Sequence, residues 1–124
     1  MTLLDALNRI DEVNPSGVSQ GLKIKWISTL DGLIKTEIID RYEGAESIVF
    51  HGYTEEDIGE DKDLLVPPPY DDIYIRWLEA MIDYTNGEYK KYNNSLTAYN
   101  DSYSLYARFY NRTHKSKSQG GFKF

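Results

Sequence analysis

The chain has 124 residues, 40% hydrophobic content, no cysteine, two histidines and a formal net charge of −6. That length is enough for one domain with one core, and the lack of thiols excludes disulfides, thiolate nucleophiles and thiolate metal centres. The acidic balance argues against a general nucleic-acid binder, because phosphate neutralisation needs clustered Lys and Arg; no run approaches the roughly 20 apolar residues of a spanning helix, so a soluble chain is expected.

No basic segment followed by an apolar one opens the chain, so no signal peptide is read and the chain is expected to stay where it is made. Charge is unevenly spread. Asp40, Glu43, Glu46, Glu55, Glu56, Asp57, Glu60, Asp61 and Asp63 face only Arg41 and Lys62 in the middle of the chain, whereas no acid follows Asp101.

Taken in order, Thr2 is placed to cap a first helix with apolar Leu3, Leu7 and Ile10, stopped by Asn14-Pro15-Ser16-Gly17. Ser19 caps a second helix running to about Arg41, with Trp26, Ile27, Leu30, Leu33, Ile34 and Ile38 on one side. Asp31 with Lys35, and Glu37 with Arg41, read as i,i+4 pairs on its exposed side. Gly32 costs about 1 kcal/mol relative to Ala and reads as a weak spot tolerated by packing. Residues 47–53 are β-branched and aromatic with a rough period of two, which predicts a strand paired with Leu64-Leu65-Val66 across a mobile acidic connector, residues 54–63. Pro67-Pro68-Pro69 ends that small two-stranded β excursion, and Asp71 or Asp72 caps the next helix.

From there Ile75, Leu78, Ile82, Thr85, Tyr89, Tyr92, Leu96, Tyr99, Tyr103, Tyr106 and Tyr110 alternate spacings of three and four, the seam of a helix that packs lengthwise on another. The unbroken phase favours one long or kinked helix over residues 71–112; Asn86-Gly87 supplies the alternative, an antiparallel helical hairpin. The expected fold class is therefore mainly α: a helical bundle forming one domain over residues 1–113, followed by a flexible basic tail over 114–124.

Six tyrosines lie on the seam: Tyr89, Tyr92, Tyr99, Tyr103, Tyr106 and Tyr110. Tyr suits a surface that is apolar in body and wet at the tip, so an interface is expected, with a core stripe whose hydroxyls reach solvent as the plainer alternative. Glu55, Glu56, Asp57, Glu60 and Asp61 lack the ligand spacing of an EF-hand and read as a solvated loop; no metal or cofactor is expected. His51 has no triad signature beside it, and Asp83 and Glu88 do not converge from one helix, so no enzyme is expected. The tail cations Arg112, Lys115, Lys117 and Lys123, with Phe122 and Phe124 as apolar anchors, suit docking on an acidic surface of a partner or neighbouring subunit at least as well as weak, salt-sensitive contact with DNA phosphates.

Four stretches together carry a resemblance: Trp26-Ile27-Ser28-Thr29-Leu30-Asp31-Gly32; Gly52-Tyr53-Thr54; Leu64-Leu65-Val66-Pro67-Pro68-Pro69-Tyr70-Asp71-Asp72-Ile73-Tyr74; and Ile82-Asp83-Tyr84-Thr85-Asn86-Gly87-Glu88-Tyr89 with Tyr92-Asn93-Asn94. They resemble a family of small virion-morphogenesis proteins of tailed phages and prophages of Gram-positive bacteria. The likeness covers about residues 3–114 and contains no catalytic signature. It implies a head-tail connector or head-completion adaptor, a small helical protein made in the bacterial cytoplasm that forms a homo-oligomeric ring on the portal, in the virion neck. The implied partners are further copies of itself, the portal protein and the adjacent neck or tail-completion protein; DNA passes through without specific binding, and no membrane is involved. On that reading the Tyr stripe supplies a lateral subunit face. Glu55, Glu56, Asp57, Glu60 and Asp61 face the channel and repel DNA, while Arg112, Lys115, Lys117, Phe122, Lys123 and Phe124 grip the portal or the next subunit. The alternative function is a non-enzymatic binding module directed at a host protein or another phage protein.

Overall fold

The computed structural model describes residues 1–117, which form a mainly helical domain. Four α-helices carry the core: α1 (Leu3–Val13), α2 (Gln20–Glu37), α3 (Ile73–Thr85) and α4 (Tyr89–Thr113). Thr2 closes a capping box on α1, its hydroxyl accepting from the Asp5 N–H at 3.1 Å while its own N–H donates to Asp5 at 2.9 Å. Those bonds hold the Asp5 carboxyl below its ordinary range, the backbone donor of Thr2 contributing most. Ser19 caps α2 by accepting from the Leu22 N–H. One core gathers Leu3, Leu7 and Ile10 of α1, Ile24, Ile27, Leu30 and Ile34 of α2, and Ile73, Leu78 and Ile82 of α3.

The seam does not belong to a single helix. At Asn86 the chain stops and turns: the Glu88 N–H donates to the Asp83 carbonyl at 2.9 Å and the Gly87 N–H to the Tyr84 carbonyl at 3.1 Å, the two bonds of a Schellman motif. Gly87 has φ +74°, a conformation that a Cβ disfavours. After this three-residue connection α4 returns antiparallel along α3, as the ring pairs Tyr84–Tyr92, Trp77–Tyr99 and Tyr70–Tyr106 show by their opposed numbering. The seam keeps its phase across the turn because both helices present the same face to each other and the connection is close to one helical turn long.

The two-stranded β excursion is absent among the described residues, which contain only isolated bridges, Thr2 with Asp63 and Tyr42 with Ser116. Residues 48–54, between a 3-10 turn at Ala45–Ser47 and another at Glu55–Gly59, instead form an extended strap, and the whole segment runs antiparallel along α2. The Lys35 ammonium donates to the Ala45 carbonyl, a Cβ on Gly32 would lie 3.7 Å from Phe50, the Tyr53 N–H donates to Ser28 Oγ, and a Cβ on Gly21 would lie 3.1 Å from Glu55. Ile48 and Phe50 are half-buried while Val49 and His51 are exposed, so the period of two reports a chain lying on a helix rather than in a sheet. Leu65 and Val66 cannot complete a ladder because their N–H groups already donate to Asp31 and to the Tyr74 hydroxyl. The connector expected to be mobile contains a 3-10 turn, Glu55–Gly59, closed by a capping box between Thr54 and Asp57. Asp72 stands at the start of α3, yet its carboxylate pairs with Arg76 at 3.1 Å rather than with backbone amides.

Candidate functional site

Asp31 is the centre of the molecule. Instead of an exposed partner for Lys35, it is a fully buried carboxylate that accepts from the Tyr53 hydroxyl at 2.5 Å, the Tyr74 hydroxyl at 2.6 Å and the Leu65 N–H at 3.1 Å. Lys35 pairs with Asp40, and Glu37 accepts from Tyr103. Burial pushes the Asp31 carboxyl above its ordinary range, against the lowering effect of the three donors. Burial likewise raises the Tyr53 and Tyr74 hydroxyls, helped by the negative charge of Asp31. The knot ties α2, the strap, residues 64–66 and α3 at one point. Its signal was present in the sequence: Ile24, Ile27, Asp31, Ile34 and Ile38 keep spacings of three and four, so the acid occupies a core position of α2.

The tyrosine stripe is divided by the hairpin. Tyr99, Tyr106 and Tyr110 are buried in the chain's own core, Tyr92 and Tyr103 are half-buried, and Tyr89 is 60% exposed. A subunit face made of all six would require the hairpin to open, so a lateral contact can use only the outward members. Tyr99 lies on Trp77 with centroids 4.8 Å apart, and burial pushes its hydroxyl up to about 12. The far half of α4 extends past α3 and packs on the end of α2 and on the segments carrying Tyr42 and Tyr70, where a tyrosine offers both a ring and a hydroxyl. Tyr103 donates to Glu37 at 2.9 Å, Tyr110 meets Tyr42 edge-on at 5.2 Å, and Tyr106 lies beside Tyr70 at 5.8 Å. What stays outside is a cluster at the hairpin tip: Tyr84, 57% exposed, touches Tyr89 and Tyr92 edge-on at 5.8 and 5.1 Å. Tyr84 is off the seam, which is why spacing alone does not find it.

No family model, curated protein or solved structure matches this chain. Glu55, Glu56, Glu60 and Asp61 are exposed, and Asp57 is half-buried with its carboxylate on the Thr54 N–H at 2.7 Å. Through Glu55 and Gly21 this acidic turn sits at the N-terminal end of α2. The tail begins at the other end, beside the 3-10 turn Ile39–Arg41 that comes after α2. Its first residues are docked rather than loose: the Glu43 N–H donates to the Lys115 carbonyl at 2.8 Å, His114 stacks on Tyr110 at 3.7 Å, and Lys117 pairs with Glu46 at 3.3 Å. Arg112 and Lys115 are exposed, and Phe122, Lys123 and Phe124 lie outside the described residues. The acidic turn thus stands at the N-terminal end of an 18-residue helix, about 27 Å long at 1.5 Å per residue, and the tail starts near the other end, where its cations stand among Glu37, Asp40, Glu43 and Glu46.

Two other carboxyl groups bear on chemistry. Buried Asp83 accepts from Ser95 at 2.8 Å and from Asn14 at 3.4 Å, fastening α4 and α1 to α3. Glu79, one turn before it, is raised above its ordinary range by burial first and by Asp83 second. Among the described residues no group of three His, Asp or Glu is placed to hold a metal ion, and no helix is long and apolar enough to cross a membrane.

Proposed function

We infer that this chain is a structural virion-assembly protein of a tailed phage, a head-tail connector subunit that forms a ring on the portal. One observation carries the reading: three of the four segments on which the family resemblance rests meet in the interior, around Asp31. Asp31, Tyr53, Leu65, Val66 and Tyr74 come from three of the four stretches, and the fourth supplies the Gly87 turn. These stretches specify an architecture. Sequence likeness concentrated in a closed polar knot speaks for a shared scaffold, and the surface it presents has charged ends rather than a reactive cleft.

A ring subunit needs two different lateral surfaces that complement each other. The acidic turn supplies one charged surface and exposed Arg112 and Lys115, near the other end of α2, supply cations; the acidic turn also suits a channel that DNA must slide through. Charge reversal at Glu55 and Glu56 is expected to slow DNA passage in assembled particles while leaving the fold intact; unchanged ejection kinetics would remove the channel role. The exposed Tyr84, Tyr89 and Tyr92 favour a second reading, a binding module directed at a host protein or another phage protein, because aromatic clusters commonly anchor interfaces. Loss of portal binding on replacing Tyr84 and Tyr89 with Ser would assign this tip to the connector; unaffected portal binding would leave it for another partner.

A further inference from the structure

Asparagine can lose its side-chain nitrogen to attack by the next residue's backbone nitrogen, and the fold sorts the seven asparagines of this chain. Asn8 lies inside α1, and Asn93, Asn94, Asn100 and Asn111 lie inside α4, where the following N–H is held in the helix ladder. Asn14 precedes Pro15, whose nitrogen carries no hydrogen to give up. Asn86 alone stands outside a helix and before a residue that can attack. It is exposed, its side-chain amide has no hydrogen-bond partner among the described residues, and a Cβ built on Gly87 would meet nothing within 4 Å, so the approach is open.

We propose that Asn86 is a site of spontaneous deamidation and that opening of the Gly87 turn sets its rate. This inference stands apart from the connector reading. In the closed turn the reaction is locked. Asn86 has ψ 0°, so its own nitrogen, not its Cβ, eclipses the Gly87 nitrogen, and the planar five-membered ring cannot form until the Cα–C bond rotates. The Gly87 N–H is also held on the Tyr84 carbonyl at 3.1 Å. Once both yield, the Gly87 nitrogen bonds to the Asn86 side-chain carbonyl carbon, the bond from that carbon to the amide nitrogen breaks, and ammonia leaves with the Gly87 proton. Water then opens the succinimide at either carbonyl and returns a proton to the Gly87 nitrogen, leaving aspartate or isoaspartate. Either product adds a negative charge at the C-terminal end of α3, where the helix dipole disfavours it, and next to Glu88. The isoaspartyl form also adds one carbon to the main chain between Tyr84 and Glu88, so the bonds from Gly87 to Tyr84 and from Glu88 to Asp83 lose their register. Exposed Tyr84 and Tyr89, on either side of the turn, are then no longer held as they are in the fresh chain.

The full chain, held in mildly alkaline buffer with and without urea, is mapped by mass spectrometry for asparagine, aspartate and isoaspartate at all seven positions. In the folded chain Asn86 should convert at least about fivefold faster than any other asparagine, and at least about tenfold more slowly than in the unfolded chain. Its rate should already rise in urea below the unfolding transition, because local opening of a turn needs less free energy than global unfolding. Another asparagine converting first, an Asn86 that stays intact in the folded chain while it converts in the unfolded one, equal rates in the two states, or a rate that rises only with global unfolding would each overturn the proposal. The isoaspartyl chain, isolated from the same incubation, should melt below the fresh chain; an equal melting temperature would overturn the loss of the turn bonds.

Discussion

Asp31 shows at the residue scale how this fold tolerates a buried charge without a cation. Three donors converge on one carboxylate, and the Tyr74 hydroxyl, while donating to it, accepts from the Val66 N–H at 2.8 Å. Asp31→Ala strands those donors and is expected to cost about 3 kcal/mol in urea unfolding, with Tyr74→Phe costing about 2 kcal/mol. Because burial raises the Asp31 pKa in the folded state, its contribution is full below the ordinary carboxylate range and is partly lost as pH rises through the folded value. The stability gap between wild type and Asp31→Asn should therefore widen as pH is lowered from about 7 to about 4; a gap that narrows would contradict the assignment. Asp5 works in the opposite sense, its lowered carboxyl adding stability above the ordinary range that disappears on acidification. The role of Asp31 was legible from its place in the Ile24-to-Ile38 stripe, but its partners were not, since Tyr53 and Tyr74 reach it from 22 and 43 residues away.

Among the elements, caps and apolar faces were readable because they are local: Thr2, Ser19 and the stop at Asn14 all act within a turn of their helices. The hairpin was readable only as an alternative, because a heptad phase is blind to a connection close to one turn long. The β excursion failed for a nonlocal reason. Strand-like residues 47–53 met a helix, and the backbone donors of their intended partner were taken by Asp31 and Tyr74. Glycines test this level sharply. Gly87→Ala, at φ +74°, should destabilise by about 1 kcal/mol, whereas Gly32→Ala, mid-helix with only ordinary contact to Phe50, should stabilise by about 0.5–1 kcal/mol. The divided stripe gives another contrast: Tyr99→Ala should cost about 3–5 kcal/mol by leaving a cavity, and Tyr89→Ala less than about 0.5 kcal/mol. Equal costs in thermal or urea melts would mean that the stripe is not split between core and surface.

For the whole molecule, the sequence shows acid in the middle of the chain and base after Asp101; the fold sets the acidic turn at the N-terminal end of α2 and brings the start of the tail to the other end, where Lys117 pairs with Glu46 and Lys35 with Asp40. On the connector reading, the exposed acids of the turn at one end and exposed Arg112 and Lys115 near the other are the charges open to a subunit contact. Association driven by those ends should weaken as salt is raised from about 0.05 to 0.5 M, as screening shortens the reach of exposed charges. The direct test of the central claim is negative-stain microscopy of the full chain mixed with the portal protein of the same phage. The account predicts portal rings extended by one additional collar. Intact portal rings with no added density, at a chain concentration well above that of the portal, would contradict it.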